Sequence, residues 1–142
     1  MGHHSNRKRR IYGALFILIL LTNLFLTLQK PEHTVALSEG VRLWLEQFGI
    51  HSDFHSFRSN AHLLAFFLLG LPLALYGRER GWKWWVIILI GCTIGILDEG
   101  IKEFLPTREF DVMDLMRDSA GIGAAVLLML LIRKRRRKGC GR

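Results

Sequence analysis

Four long apolar segments alternate with short polar ones along the chain. Residues 11–28 hold no charged residue, and residues 60–77 hold none unless His62 is protonated. A third segment covers 84–104 and a fourth covers 112–132, each with ionisable residues at one end only. Because a helix needs about 20 mainly apolar residues to cross the hydrocarbon of a bilayer, the pattern predicts four transmembrane helices. We therefore expect an all-α integral membrane protein, a four-helix bundle in one domain.

The start of the chain is also compatible with a signal peptide, because four basic residues at 7–10 precede the first apolar run. That run is longer than the roughly 7–15 residues of a signal-peptide core. The small residue Ala36 follows Thr34 and Val35, which is a poor cleavage context. An uncleaved anchor is the favoured interpretation.

The positions of Lys and Arg predict the orientation of the helices. Segments 1–10, 78–83 and the basic tail 133–142 carry fourteen of the 20 basic residues, and Glu79 is their only acid. Basic residues collect on the cytoplasmic side of short membrane loops, so both termini are predicted to be cytoplasmic. The orientation of the helices therefore explains the net charge of +8. We expect the basic tail to contact anionic lipid, and we expect no nucleic-acid partner.

The segment between the first two spans has its own apolar period. The apolar side chains that recur on one helical face are Leu37, Val41, Trp44, Leu45 and Phe48. This spacing predicts an amphipathic helix over 37–49, outside the cell in the predicted orientation. Such a helix can lie on the outer membrane surface or cap the bundle, and the sequence leaves both arrangements open.

Ionisable residues of three spans are predicted to meet at the outer end of the bundle, because successive helices cross in opposite directions. A charged side chain costs about 2.5–3.5 kcal/mol at the bilayer centre, so it pairs or lines a functional site. Two structural alternatives are that the charges only neutralise one another or lie in water above the hydrocarbon. The candidate ligand-binding residues are Arg58, His62, Asp98, Glu99, Lys102, Arg108, Asp114 and Asp118.

Small residues accompany these charged ones at helical spacing. Gly91 and Gly95 lie on the same face of the third span as Asp98 and Lys102, and Gly121 follows the acidic residues of the fourth span. Small residues let transmembrane helices approach closely. We therefore expect tight helix packing directly beneath a polar pocket.

The same residues carry a family resemblance. The segment DEGIKEFLPTREFDVMDLMRDSAG, residues 98–121, resembles the signature of VanZ-like membrane proteins, and RSNAHLLAFFLLG matches its upstream element through Arg58 and His62. The resemblance covers about residues 58–132. The residues that match in order and spacing are Asp98, Glu99, Phe104, Pro106, Arg108, Asp114 and Gly121.

The resemblance implies a small multi-pass protein of the bacterial cytoplasmic membrane that lowers susceptibility to teicoplanin-type glycopeptides. Lys102 stands where the family usually has Gln, and Asp118 stands where it usually has Asn. Because the two replacements have opposite charges, we expect a salt bridge between Lys102 and Asp118.

Two functional hypotheses of different classes follow. In the first, the pocket binds an anionic lipid or lipid-linked cell-wall precursor, with Arg58, Lys102 and Arg108 on its phosphate or carboxylate. In the second, the protein is an enzyme acting on a lipid-linked phosphate or ester. The candidate catalytic residues are His62 as base or nucleophile and the carboxylates Asp98, Glu99 and Asp114. A small lipid transporter is a third possibility.

Metal and cofactor chemistry has little support in the sequence. His51, Asp53 and His55 have ligand-like spacing but no further clustered ligand, and structural metal sites usually need four. No metal and no cofactor are expected, membrane lipids are the expected partners, and the oligomeric state is left open.

Overall fold

Five helices form the described part of the protein. The computed structural model describes residues 2–51, 53–105 and 110–139, in which every regular element is helical. The helices are α1 (Gly2–Leu28), α2 (Pro31–Glu46), α3 (Phe54–Glu79), α4 (Trp84–Glu103) and α5 (Val112–Gly139). Four of them contain segments long and apolar enough to cross a membrane: Asn6–Leu28, Ser59–Glu79, Trp84–Glu103 and Val112–Arg135. The predicted all-helical class is confirmed, with four helices of a length and composition that suit a membrane span.

The short helix α2 lies earlier in the chain than the predicted range 37–49. It begins at Pro31, where a proline is tolerated because the first N–H groups of a helix have no intrahelical partner. It ends at Glu46, because Gly49 has a left-handed φ of 79° and the N–H of Ile50 donates to the carbonyl of Leu45 at 3.3 Å. The prediction was therefore wrong for residues 47–49, which form a turn.

The two faces of α2 have different surroundings. Leu37, Val41 and Trp44 remain exposed on its apolar face. On its polar face Arg42 donates to Glu39 at 2.9 Å and also pairs with Glu46. The hydrogen bond from Arg42 lowers the pKa of the Glu39 carboxyl, although slight desolvation acts in the opposite direction. The polar face is therefore neutralised locally, and the apolar face has no cover within the described chain.

Helix α3 begins at a side-chain cap. Asp53 accepts a hydrogen bond from the N–H of Ser56 at 2.9 Å, which satisfies one of the unpaired donors of the first turn. This cap gives Asp53 a structural role. The helix then continues through Pro72 to Glu79 without a break, as is tolerated in a bundle where neighbouring helices pack around the proline.

The most extensive helix contact joins α3 and α5, which run parallel to each other. A Cβ atom on Gly121 would lie 2.4 Å from the carbonyl oxygen of Leu63 and 2.8 Å from the nitrogen of Phe67. On α4, a Cβ on Gly91 would lie 2.6 Å from Cγ2 of Ile122. The predicted close packing through small residues is therefore confirmed, with the α5 backbone pressed against that of α3.

Chain direction gives the bundle two chemically different ends. At one end, here called the polar end, α1 and α4 finish and α3 and α5 start, and their side chains contact one another. At the opposite end, called the basic end, α1 starts and the chain turns from α3 into α4. Between the ends, apolar side chains such as Leu18, Leu21 and Leu97 are more than half exposed, as expected of a surface that faces lipid rather than water.

The contact of Gly121 predicts that Gly121→Ala destabilises the bundle. The added methyl group would meet backbone atoms, which cannot rotate away, so we expect a loss of about 1–3 kcal/mol in the free energy of unfolding. Gly123→Ala is the matched control, because nothing lies within 4 Å of a Cβ at that position. Reversible unfolding in lipid or detergent measures both variants, and equal stability of the two would contradict the packing.

Candidate functional site

Four helices bring polar side chains to the polar end. Helix α4 carries a buried stripe of residues three and four positions apart, a spacing that puts side chains on one helical face. Helix α1 contributes Thr27 and α3 contributes His62. Helix α5 contributes two acids from its first two turns. The buried residues of the α4 stripe are Ile87, Gly91, Gly95, Asp98, Glu99 and Lys102.

The ion pair between Lys102 and Glu99 forms the centre of this polar cluster. Nζ of Lys102 hydrogen-bonds to Oε1 of Glu99 and lies 3.9 Å from Oδ2 of both Asp98 and Asp114. Glu99 is fully buried, and its other oxygen, Oε2, accepts the backbone N–H of Asp111 at 3.2 Å. One ammonium group therefore lies among three carboxylates. Such pairing offsets part of the free energy lost when charged side chains are removed from water.

The imidazole of His62 lies between two carboxylates of α5. Its Nε2 is 3.4 Å from Oδ2 of Asp114, and its Nδ1 is 3.5 Å from Oδ1 of Asp118. Asp114 also accepts a hydrogen bond from Arg117 at 2.7 Å. Asp118 is 1% exposed, and neither of its carboxylate oxygens has a hydrogen-bond partner in the described parts of the chain. The imidazole of His62 therefore lies beside a deeply buried acid.

The predicted salt bridge between Lys102 and Asp118 was wrong. The ammonium group of Lys102 turns to Glu99, one helical turn earlier on the same helix, while Asp118 faces His62 on α3. The reason is spacing, because residues at i and i+3 on one helix are already neighbours. Pairing with Asp118 would instead have to form across two helices.

Thr27 belongs to the cluster, although no sequence pattern singled it out. Its Oγ1 donates to Oδ1 of Asp98 at 2.6 Å, and the residue is 6% exposed. The only available signal was a hydroxyl in the last turn of an apolar span. Because a threonine hydroxyl in a helix can equally bond its own backbone, as that of Thr22 does to Leu18, its position alone does not reveal a partner.

The structure brings together six of the eight predicted site residues: His62, Asp98, Glu99, Lys102, Asp114 and Asp118. Arg58 lies on α3 one turn before His62, but its side chain is outside the described part, and Arg108 lies outside the described residues altogether. Four of these six residues are buried: Asp98, Glu99, Lys102 and Asp118. The alternative in which these charges lie in water is therefore wrong for them.

A small cavity adjoins the cluster. It has a volume of about 170 Å³ and lies between α1, α2, α3 and α4. Pockets that enclose drug-sized ligands measure roughly 300–1,000 Å³, so this cavity suits a single small polar group. The polar residues in its wall are Asn23, Thr27, Thr34, Ser38, His62, Asp98 and Lys102.

One group of side chains has the composition of a metal site. His62, Glu99 and Asp118 each offer a ligand atom, and these atoms lie within 4.8 Å of one another. Both oxygens of Glu99 are already engaged, however, one by the ammonium of Lys102 and one by the N–H of Asp111. A divalent ion would have to displace or repel that ammonium, so the arrangement suits an ion-pair network better.

These features define a class of protein. Four helices of membrane-spanning length around a buried cluster of ionisable side chains are typical of a small multi-pass membrane protein with a polar site. A family model described as VanZ/LLP1 matches residues 4–133, nearly the whole chain, and the chain belongs to this family. The match extends the resemblance found over 58–132 to α1 and α2. No curated protein and no solved structure is significantly similar to the chain.

The hydrogen bond of Thr27 predicts that Thr27→Val lowers stability. Valine has nearly the same shape as threonine but cannot donate a hydrogen bond to the buried carboxylate of Asp98. We therefore expect a loss of about 1–2 kcal/mol in the free energy of unfolding. Thr22→Val is the control, because the hydroxyl of Thr22 is exposed and donates to Leu18 of its own helix at 2.9 Å. If the two variants unfold alike, the bond to Asp98 contributes nothing.

The central ion pair predicts strong coupling between Lys102 and Glu99. Lys102→Met leaves the buried carboxylate of Glu99 without its cation, which costs about 3–5 kcal/mol. Glu99→Gln removes the closest of the three carboxylates around Lys102. The double variant should lose clearly less than the two single losses added together, because it removes both charges. A double-mutant cycle of unfolding free energies measures this coupling.

Glu39 and Arg42 provide a matched control for that cycle. They form an ion pair at the same i to i+3 spacing, but the side chain of Glu39 is 38% exposed. Water screens the charges of such surface pairs, so Arg42→Met and Glu39→Gln should show little coupling. Similar coupling in both pairs would mean that burial does not determine the strength of the central one.

Proposed function

We propose that the protein lowers susceptibility to teicoplanin-type glycopeptides by binding the polar head group of an anionic lipid or lipid-linked cell-wall precursor at the polar end. The observation that carries the proposal is the small cavity, which has Lys102 and His62 in its wall and lies at the end of a membrane-spanning bundle. Membership of the VanZ/LLP1 family supports the link to glycopeptides.

The size and lining of the cavity favour one phosphate or carboxylate group as the bound part. Lys102 supplies a cation, and Thr27 and Asn23 supply hydroxyl and amide groups in the same wall. Arg58 and Arg108, predicted at this end, add guanidinium groups, whose planar fork binds phosphate or carboxylate through two hydrogen bonds. The rest of the ligand would remain outside the cavity, with its lipid chains in the bilayer.

The proposal includes an orientation in the bacterial cytoplasmic membrane. The distribution of basic residues supports cytoplasmic termini and an outward-facing polar end. The exposed apolar side chains of α2, among them Val41 and Trp44, support a position for this helix on the outer membrane surface. Thr34 and Ser38 of the same helix line the cavity, so α2 would lie where a head group enters.

Binding is better supported than catalysis. A general base needs a ring nitrogen that faces the substrate, but both nitrogens of His62 face carboxylates, at 3.4 Å and 3.5 Å. Oδ2 of Asp114 lies beside Nε2 of His62 and occupies the position from which a substrate would have to donate its proton to that nitrogen. The enzyme hypothesis therefore requires His62 to turn away from Asp114, whereas the binding hypothesis leaves His62 in place.

Teicoplanin susceptibility tests the proposal in cells. Expression in a susceptible Gram-positive host should raise the inhibitory concentration above that of the empty vector, and Arg58→Gln or Arg108→Gln should abolish the increase. Arg80→Gln is the control, because Arg80 is exposed at the basic end, where it contacts Tyr76. All variants are compared at equal amounts of membrane-inserted protein. An unchanged inhibitory concentration with the wild type would refute the function.

Purified protein in vesicles tests the mechanism separately. Mass spectrometry of vesicles that contain lipid-linked precursor should show saturable retention of the intact lipid, which Arg108→Gln weakens. Conversion of the lipid to a new product that His62→Ala abolishes would replace the binding mechanism with the enzymatic one.

A further inference from the structure

The basic end of the bundle contains a second and larger cavity, of about 330 Å³. It lies between the end of α3, the connection from α3 to α4, and the last turns of α5. Its rim carries three basic and three aromatic side chains: Arg78, Lys83, Arg133, Trp82, Trp84 and Trp85. Apolar residues such as Ile87 and Val126, both buried, form its floor.

The cations at this rim come from three separate parts of the chain. Arg78 belongs to α3, Lys83 precedes α4 and Arg133 belongs to α5. Among the described residues, no carboxylate lines the cavity and no ion pair includes any of these three cations. Orientation in the membrane requires basic residues on one side only and does not require them to converge on one cavity. Their convergence produces a site with a strong preference for anions.

The remaining lining indicates that the anion belongs to a lipid. Trp84 and Trp85 are about half exposed, and indole rings favour the boundary between head groups and hydrocarbon. The apolar floor offers nothing to a free phosphate, but it suits the glycerol and first acyl carbons of a phospholipid. Basic pockets between transmembrane helices are known to take anionic lipid head groups.

We propose that this cavity binds an anionic phospholipid, with the phosphate held by Arg78, Lys83 and Arg133. The volume lies at the lower limit of the roughly 300–1,000 Å³ of pockets that enclose small molecules, which is sufficient for a glycerophosphate head group. The site is at the opposite end of the bundle from the polar cluster and does not depend on the function proposed for that cluster. In the predicted orientation it takes lipid from the inner leaflet.

Tryptophan quenching tests this proposal directly. Three of the four tryptophans of the chain line the cavity, so Trp44→Phe leaves a protein whose fluorescence reports on this site alone. In nanodiscs with brominated acyl chains, phosphatidylglycerol should quench these tryptophans more strongly than phosphatidylcholine does. The triple variant Arg78→Gln/Lys83→Gln/Arg133→Gln should lose this selectivity by about tenfold or more, equivalent to about 1.4 kcal/mol.

A charge-matched triple variant separates a site from general attraction to the membrane. Arg10→Gln/Lys134→Gln/Arg135→Gln removes the same charge from exposed residues of the basic end that do not line the cavity. It should retain most of the selectivity. Equal losses in both triple variants, or equal quenching by the two lipids in the wild type, would overturn the proposal.

A phosphate competition and a pair of single variants complete the test. Excess inorganic phosphate should leave quenching by phosphatidylglycerol unchanged, and full competition would mean that the site recognises only the free anion. If the triple variant fails to fold, Lys83→Gln compared with Lys134→Gln gives the same comparison with one charge each. Equal selectivity of these single variants would count against the site.

Discussion

The buried ion pair of Lys102 and Glu99 is the interaction on which the polar end depends. An ionised carboxylate with no exposed surface, within a helix of membrane-spanning composition, needs a cation and hydrogen-bond donors around it. Glu99 obtains the cation from its own helix and a donor from the N–H of Asp111. The second bond ties α4 to the residue just before α5. Glu99 therefore links the end of α4 to the start of α5, the helix that carries Asp114 and Asp118.

Close backbone packing is the second condition for the site. His62 on α3 can reach both acids of α5 only because the two parallel helices lie nearly in contact. That proximity is possible at Gly121, where even a methyl group would meet the backbone of Leu63 and Phe67. Packing through small residues, which in lipid takes the place of a hydrophobic driving force, is thus what brings an imidazole beside a buried carboxylate. The close contact at Gly121 therefore both packs α3 against α5 and places His62 beside Asp118.

Sequence patterns predicted the features that depend on period and composition. The four spans follow from hydropathy, and the buried face of α4 follows from the three- and four-residue spacing of Gly91, Gly95, Asp98 and Lys102. The choice of partner did not follow, because Lys102 lies near three carboxylates and side-chain geometry selects Glu99. The end of α2 depends on one left-handed glycine, and Thr27 matters only through a residue 71 positions away. The cavity at the basic end was not predicted, because its cations already had a topological explanation.

The charge balance of the polar cluster limits what it can bind. Its described part holds four carboxylates against two permanent cations, Lys102 and Arg117, together with one histidine. Such a group would repel an anionic head group, because like charges in a medium of low dielectric interact strongly. Arg58 and Arg108 would balance the remaining carboxylates, so binding of an anion requires both arginines near the cavity. The opposite end needs no such compensation, since the described residues that line its cavity include three cations and no carboxylate. The two ends therefore differ in kind: the polar end can bind an anion only as part of a balanced network, whereas the basic end attracts one through an excess of positive charge around its cavity.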